Sequence, residues 1–270
     1  MKKRGVVEKG SAWAVVTGAG SGIGRCYALR LAALGYRVLI AGEHTEPLEA
    51  VRAEIEAAGG AEVRTLTIDL ARVTAAVELY EWMQQQGIAP TVLVNNAGIF
   101  SFRDVLTTPA ERIERMILLH DVTTTQLCRL VADDMIRRGV RGRILNMSSY
   151  SLWMPFPGLA VYSASKAYLK CFSVAFAKEL RDRQIRVTAI CPAGVATDLY
   201  GLSPRWQRIG LKMGVLISAD SCARRGLRAM WRGRRCVVPD WWNRLFIPIC
   251  KVLPMWVLRP IRNYTMKFQK

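Results

Sequence analysis

The 270-residue chain predicts an α/β fold, a doubly wound parallel sheet in one domain with a C-terminal extension. Three observations predict it. Short apolar runs rich in β-branched residues alternate with longer amphipathic stretches, the pattern of βαβ units. The short runs are apolar throughout, as strands buried on both faces are. A glycine-rich turn joins the first such run to the first helical stretch. Right-handed crossovers then wind the sheet outward in both directions.

The elements follow in order. Strands are expected at 12–16, 37–40, 62–68, 92–95, 144–147 and 187–190. Helices are expected near 22–34, 46–58, 72–86, 109–138 and 160–182. No repeat or low-complexity linker interrupts them. The first unit reads "WAVVTGAGSGIGRCYALRLAALGY", a strand, a turn with Gly18, Gly22 and Gly24, then a helix. Residues without Cβ let backbone approach a pyrophosphate, which meets the helix N-terminus. This strand–turn–helix setting makes the sheet Rossmann-type and the turn a cofactor cradle, with Ser21 and Ile23 beside the glycines.

Composition bounds the rest. Seven scattered cysteines with no CxxC pair, and only two histidines, point to reduced thiols and no metal site. Lys9 and Glu8 interrupt the N-terminal apolar residues before a signal core forms, so a cytoplasmic location is expected. The net charge of +18 is uneven. Residues 205–270 hold 15 Lys and Arg against two acids, a net +13, whereas 1–204 hold 24 against 19, a net +5. Such a balance suits nucleic acid or an anionic membrane. In the last segment, from Pro239, tryptophans and leucines are mixed with arginines, which fits lipid better than nucleic acid. Arg244, Lys251 and Arg259 interrupt any spanning run, and Pro248, Pro254 and Pro260 break a long helix. Peripheral contact is therefore expected, with Trp241, Trp242 and Trp256 at headgroup depth. The competing reading is a tail packed on its own domain or on a dimer mate.

Tyr162 and Lys166 stand four apart at the start of the last helical stretch, hence on one face of it. With TGxxxGxG in the turn, "LVNNAGIF" at 93–100 and YxxxK at 162–166, the chain resembles the short-chain dehydrogenase/reductase family over about residues 12–198. The overall style is similar to its 3-ketoacyl and hydroxysteroid reductases.

The resemblance implies an NAD(P)-dependent oxidoreductase interconverting a ketone and a secondary alcohol. The substrate would be lipophilic: a steroid, a 3-ketoacyl group or a long-chain lipid. Tyr162 would be the acid/base, Lys166 would hold the nicotinamide ribose and lower the phenol pKa, and Ser149, thirteen residues before Tyr162, would hold the substrate oxygen. Asn95, Ala97 and Gly98 would line the adenosine-ribose side. Pro192, Val195 and Thr197 would form the nicotinamide side. Asp69 would reach adenine with the Leu70 amide nearby, or else cap a helix. Trp153, Met154 and Phe156 would line an apolar substrate side.

One departure stands out. The asparagine that the family usually carries in the helix before the serine strand falls here on His120. An imidazole there could hold a water and relay protons, or be a packed core histidine. Were catalysis lost with the asparagine, the alternative is a cofactor-binding membrane-surface protein with little turnover. Glu43 stands where a 2′-phosphate would sit, so NAD is preferred over NADP. Arg25 could contact a phosphate. The family resemblance also implies a homodimer or homotetramer through the 109–138 and 160–182 helices. Residues 1–200 are read as the dinucleotide-binding and catalytic domain, and 201–270 as a lid and membrane-surface extension.

Overall fold

The computed structural model describes residues 10, 12–59, 62–154, 156–200 and 203–251, and beyond them 254, 256, 258–260 and 263. The basic N-terminus, the Trp241 and Trp242 side chains and most of 252–270 lie outside the described residues.

The chain runs β1 (Trp13–Thr17), α1 (Gly22–Ala33), β2 (Arg37–Gly42), α2 (Thr45–Ala57), β3 (Val63–Thr67), α3 (Ala75–Gln85) and β4 (Pro90–Asn95). There follow α4 (Ala110–Ile117), α5 (Thr124–Arg137), β5 (Gly142–Met147), α6 (Ala160–Glu179) and β6 (Ile185–Ile190). The remainder is β7 (Gly194–Ala196), α7 (Pro204–Lys212), β8 (Leu216–Ser218), α8 (Ala219–Trp231), β9 (Cys236–Val237) and α9 (Trp241–Lys251).

Seven parallel strands form one sheet in the order β3-β2-β1-β4-β5-β6-β9. The order reverses between β1 and β4, so their C-terminal ends open a crevice, where open α/β sheets bind ligands. The strand residues explain the burial. Every residue of β1 is buried, and apolar clusters lie on both faces of the sheet. From the 201–270 stretch, α8 packs along α1 and β9 joins the sheet beside β6. The α1–α8 contact is close: a Cβ at Gly226 would stand 2.2 Å from the Tyr27 hydroxyl, on a side chain wholly buried.

The expected elements are present, with differences at their ends. The 109–138 helix is two helices, joined by a π-helical turn at Leu118–Thr123. The 72–86 helix starts only at Ala75, because the Ala71 amide donates to Asp69 Oδ1 (2.8 Å) and shapes the preceding stretch as a turn. Near the C-terminus α9 continues through Pro248, which sits inside the helix.

Candidate functional site

The site is assembled at the C-terminal ends of β1 to β6. After β1, Gly18 and Gly22 take left-handed φ values of +62° and +53°. A Cβ at Gly18 would stand 2.7 Å from Ala97 Cα, and one at Gly22 would stand 3.2 Å from Thr197 Cγ2. Gly24 is tighter still, since its Cβ would meet the Gly18 carbonyl oxygen at 2.0 Å. Ile23 is half-buried against the core. At the N-cap of α1, Ser21 makes no side-chain capping bond, so the first helical N–H groups face the turn without one. A bare glycine turn at an uncapped helix start fits a pyrophosphate.

The loop after β4 is tied to this turn. Thr17 Oγ1 accepts from the Asn96 and Ala97 amides (3.0 and 3.1 Å), and the Asn96 side chain donates to the Thr17 and Gly18 carbonyls (3.1 Å each). Sequence reasoning placed Asn95 at the ribose side. Its side chain is instead buried, with its amide donating to Asn146 Oδ1 (2.9 Å) and Cys128 Sγ (3.3 Å), so it braces β4 against β5 and α5. Asn96 and Thr17 were missed; the only sequence signal for Asn96 is its place in the "NNAG" run.

After β5, Ser148 and Ser149 separate. Ser148 Oγ donates to the Lys166 carbonyl (2.6 Å) and is structural. Ser149 Oγ accepts from the Ser151 amide (3.1 Å) and stands on the Tyr162 side, where its hydroxyl favours the charged form of the phenol. On α6, Tyr162 and Lys166 share the buried face, 6% and 4% exposed, with Lys166 Nζ 5.7 Å from the Tyr162 ring centroid. Lys166 Nζ donates to the Met147 carbonyl (3.1 Å). Burial pushes the phenol up to about 12, against the pull of Ser149, and brings the amine down to about 8, against the nearby Asp121. The sequence reading had the lysine lowering the phenol pKa. In this structure desolvation outweighs any such effect. Gly98 lies beside the pair: a Cβ there would stand 3.4 Å from Lys166 Nζ and 3.1 Å from His120 Nε2.

His120 sits in the π-helical turn, wholly buried. Its Nε2 accepts from the Ile99 amide (3.0 Å), and its Nδ1 is 2.9 Å from Ser165 Oγ, which itself donates to the Tyr162 carbonyl (2.9 Å). With the serine proton committed, the ring must donate through Nδ1. Both nitrogens are used, and the ring is the neutral Nδ1–H form. Burial first, then the Lys166 charge, hold its pKa well below 6.5. Of the two readings of this position, the packed histidine is the one this geometry favours: the ring is a brace between the Ile99 loop and the start of α6.

At the other end of the crevice, Asp69 accepts from the Ala71 amide and from Arg115 (2.9 and 3.4 Å), while Arg115 Nη2 also lies 3.4 Å from Glu43. The hydrogen bond to Asp69 raises the Arg115 pKa, against burial, with the Asp69 and Glu43 charges adding to it; against burial, the Ala71 amide and then Arg115 lower the Asp69 pKa, so both stay charged. Asp69 does not cap α3, whose N-cap is Thr74. Leu70 is buried, its carbonyl accepting from Thr123 Oγ1 (2.9 Å). Arg115 has no local sequence signal. Arg25, expected as a phosphate contact, instead pairs with Glu54 through two hydrogen bonds (2.9 and 2.5 Å). On the remaining side the Pro192 carbonyl accepts from the Tyr150 amide (2.8 Å), and Val195 is buried in β7. Phe156, Phe102 and Phe100 pack with the Tyr162 cluster, whereas Trp153 and Met154 pack with Tyr150 and Ile247 of α9.

Fold and crevice together define a dinucleotide-binding α/β protein. The chain belongs to the short chain dehydrogenase family, whose sequence model matches residues 12–208. Among similar proteins, a very-long-chain 3-oxoacyl-CoA reductase of Pyricularia oryzae is 36% identical over 185 residues, 67% of this chain and 55% of that one. The 17-beta-hydroxysteroid dehydrogenase type 3 of Homo sapiens is 33% identical over 192 residues, 69% of this chain and 60% of that one. The chain thus spans little more than half the length of these curated relatives. A short-chain dehydrogenase from Sphingobium yanoikuyae in complex with NADPH superposes with a TM-score of 0.76 at 27% identity, covering 87% of this chain and 92% of that one. A metagenomic short-chain oxidoreductase in complex with NADP gives 0.70 at 30% identity, covering 86% and 97%.

The His120 geometry has a direct spectroscopic consequence. In 15N NMR its ring should keep the Nδ1–H form with no titration between about pH 5 and 9, against an ordinary histidine pKa of about 6.5. A ring that titrates near its ordinary value would restore the proton-relay reading.

Proposed function

We propose that the protein is an NAD(P)-dependent oxidoreductase that interconverts a ketone and a secondary alcohol on a lipophilic substrate. The observation that carries this is the buried Ser149–Tyr162–Lys166 group at the end of β5, beside the glycine turn's crevice. Bound in the crevice, a nicotinamide supplies or accepts hydride. The glycine turn with Ser21, Ile23, Gly98, Pro192, Val195 and Thr197 would hold it. In the reductive direction Ser149 Oγ donates to the substrate oxygen and orients it. Tyr162 Oη gives that oxygen its proton as negative charge grows there. A phenol held near 12 is fully protonated at neutral pH, the state a proton donor requires. Lys166 serves the cofactor ribose and, as a cation, stabilises the phenolate left once the proton has been given.

The aromatic and aliphatic side chains beside Tyr162, namely Phe100, Phe102, Phe156 and Leu159, favour a steroid, 3-ketoacyl or long-chain lipid substrate. The names of the curated relatives point the same way. NAD is the preferred cofactor in this reading, because Glu43 follows β2 where a 2′-phosphate would meet a carboxylate. The two structural neighbours carry NADPH and NADP, and Arg115 stands beside Glu43, which makes this preference the first thing to measure. The assembly is a dimer or a tetramer of such dimers. Its two-fold contact would use the outer face of α6, where Tyr168, Phe172 and Phe176 stack in a ladder (6.1 and 5.3 Å between centroids). Location is cytoplasmic with peripheral membrane contact through the basic, apolar tail. Among the described residues no helix is long and apolar enough to cross a membrane.

Tyr162→Phe should lower the rate of NADH- or NADPH-driven reduction by about a hundredfold or more while leaving cofactor binding nearly intact. The assay scans ketosteroids, 3-ketoacyl thioesters and 3-ketosphinganine. A rate within about tenfold of the parent, roughly 1.4 kcal/mol of barrier, would remove Tyr162 from the mechanism. No turnover on any ketone, with cofactor bound, would instead favour a cofactor-binding surface protein. Fluorescence titration should give tighter binding of NADH than NADPH, and Glu43→Arg should narrow or reverse the gap. A tenfold preference of the parent for NADPH would overturn this assignment of Glu43. Light scattering at micromolar concentration should show a dimer or tetramer; a monomer there contradicts the α6 contact.

A further inference from the structure

We propose that α7 is a docking helix for an anionic lipid surface and that it seats the substrate side of the crevice on that surface. This rests on the lipophilic-substrate reading above and deepens it.

Helix α7 is unusual in this molecule. None of its nine residues is buried, and it contains no acid. Trp206 and Met213, seven positions apart and so on one face, are 61% and 71% exposed, and Val215 just beyond is 61% exposed. Arg205, Arg208 and Lys212, spaced three and four apart, form a second stripe along the same helix and are all exposed. Among the described residues no ion pair engages any of these three cations. The two acids of residues 205–270 are used elsewhere: Asp220 takes Arg30 (2.7 and 2.6 Å) and Asp240 takes the Ala193 amide (3.0 Å).

Apolar exposure and positive charge therefore coincide. Among the described residues, nine of the sixteen exposed large apolar side chains fall at 199–256, including Leu245, Phe246 and Ile249 of α9. The net charge of residues 205–270 is +13. Apolar rings beside a cationic stripe are what a headgroup interface receives. A second copy of the chain is a poor occupant, because a two-fold contact would bring this cationic surface against itself. An anionic leaflet instead complements it at every cation.

The helix is connected to the crevice. Leu216 of β8 lies between α7 and β7: a Cβ at Gly210 would stand 2.7 Å from it, and one at Gly194 would stand 2.4 Å from it. Strand β8 pairs with β7 from Gly194↔Leu216 to Ala196↔Ser218. The Gln207 side chain reaches the Thr197 carbonyl (3.5 Å) and Asp198 Oδ1 (3.3 Å). A surface that holds α7 thus holds the strand carrying Val195 and its neighbour Thr197, and leaves the crevice mouth facing lipid.

The test is co-sedimentation of the full chain with phosphatidylcholine vesicles, with and without about one-third phosphatidylglycerol, at low and high salt. The parent should bind the anionic vesicles and lose most binding at high salt. The triple variant Arg205→Gln, Arg208→Gln, Lys212→Gln should partition about a hundredfold more weakly, since each cation near an anionic leaflet adds about 1 kcal/mol and 1.4 kcal/mol is tenfold. Trp206→Ser, which alters no charge, should weaken binding in both salts. Amide hydrogen exchange of the parent should slow at 204–218 on anionic vesicles. Equal sedimentation of parent and triple variant, equal binding to neutral and anionic vesicles, or unchanged exchange at 204–218 would each overturn the proposal. NADH titration without vesicles serves as the separate readout. Both variants should bind NADH like the parent, and a parent that binds no NADH would count against the catalytic reading, not against the docking of α7.

Discussion

The rest of the site depends on keeping a lysine amine inside the protein. Lys166 is 4% exposed, and an ammonium taken out of water loses several kcal/mol of solvation unless neighbours replace it. The replacements are few: the Met147 carbonyl at the end of β5 and the field of Asp121. The amine ends up held near 8, poised between charged and neutral, which suits a group that must work with a proton donor. Gly98 is required by the same packing, since a side chain there would press on both Lys166 and His120.

The sheet order is what brings these pieces together. Only the reversal between β1 and β4 puts a glycine turn, the Asn96 loop, the Ser149 turn and the Thr197 segment after β7 around one crevice. Residues 79 and 80 positions apart are then joined by the Thr17 hydroxyl. The π-helical turn at Leu118–Thr123 adds one more constraint, because it turns His120 inward where it can bond both the Ile99 loop and α6. Such turns store local irregularity at functional sites. Here the irregularity holds an imidazole whose two nitrogens are fully committed, so its contribution is geometric.

Charge is divided between two jobs. In the first 204 residues, acids and bases are near balance and many are paired, as in Arg25–Glu54 and Arg115–Asp69. In the last quarter, cations outnumber acids and the helices α7 and α9 expose large apolar side chains. The inner side of α9 packs Ile247 against the Tyr150–Trp153 turn, and the Tyr150 hydroxyl donates to the Asn243 carbonyl (2.7 Å). One helix therefore braces the substrate side of the crevice while Leu245, Phe246 and Ile249 on it remain exposed.

Sequence alone determined the alternation of strands and helices, the glycine turn and the shared face of Tyr162 and Lys166. Each is a local property: a period of hydrophobicity, a residue without Cβ, a spacing of four on one helix. The choice of Ser149 over Ser148 came from the family resemblance, whose serine lies thirteen residues before the tyrosine; the structure sets Ser148 on the α6 backbone and Ser149 toward the phenol. What only the tertiary structure decided depends on partners distant in the chain. Asn95 turned away to Asn146, Arg115 reached Asp69 from 46 residues off, and Arg25 was taken by Glu54. The proton state of His120 belongs to the same class, since it is set by Ile99, Ser165 and the depth of burial, none of which its own neighbours in sequence encode.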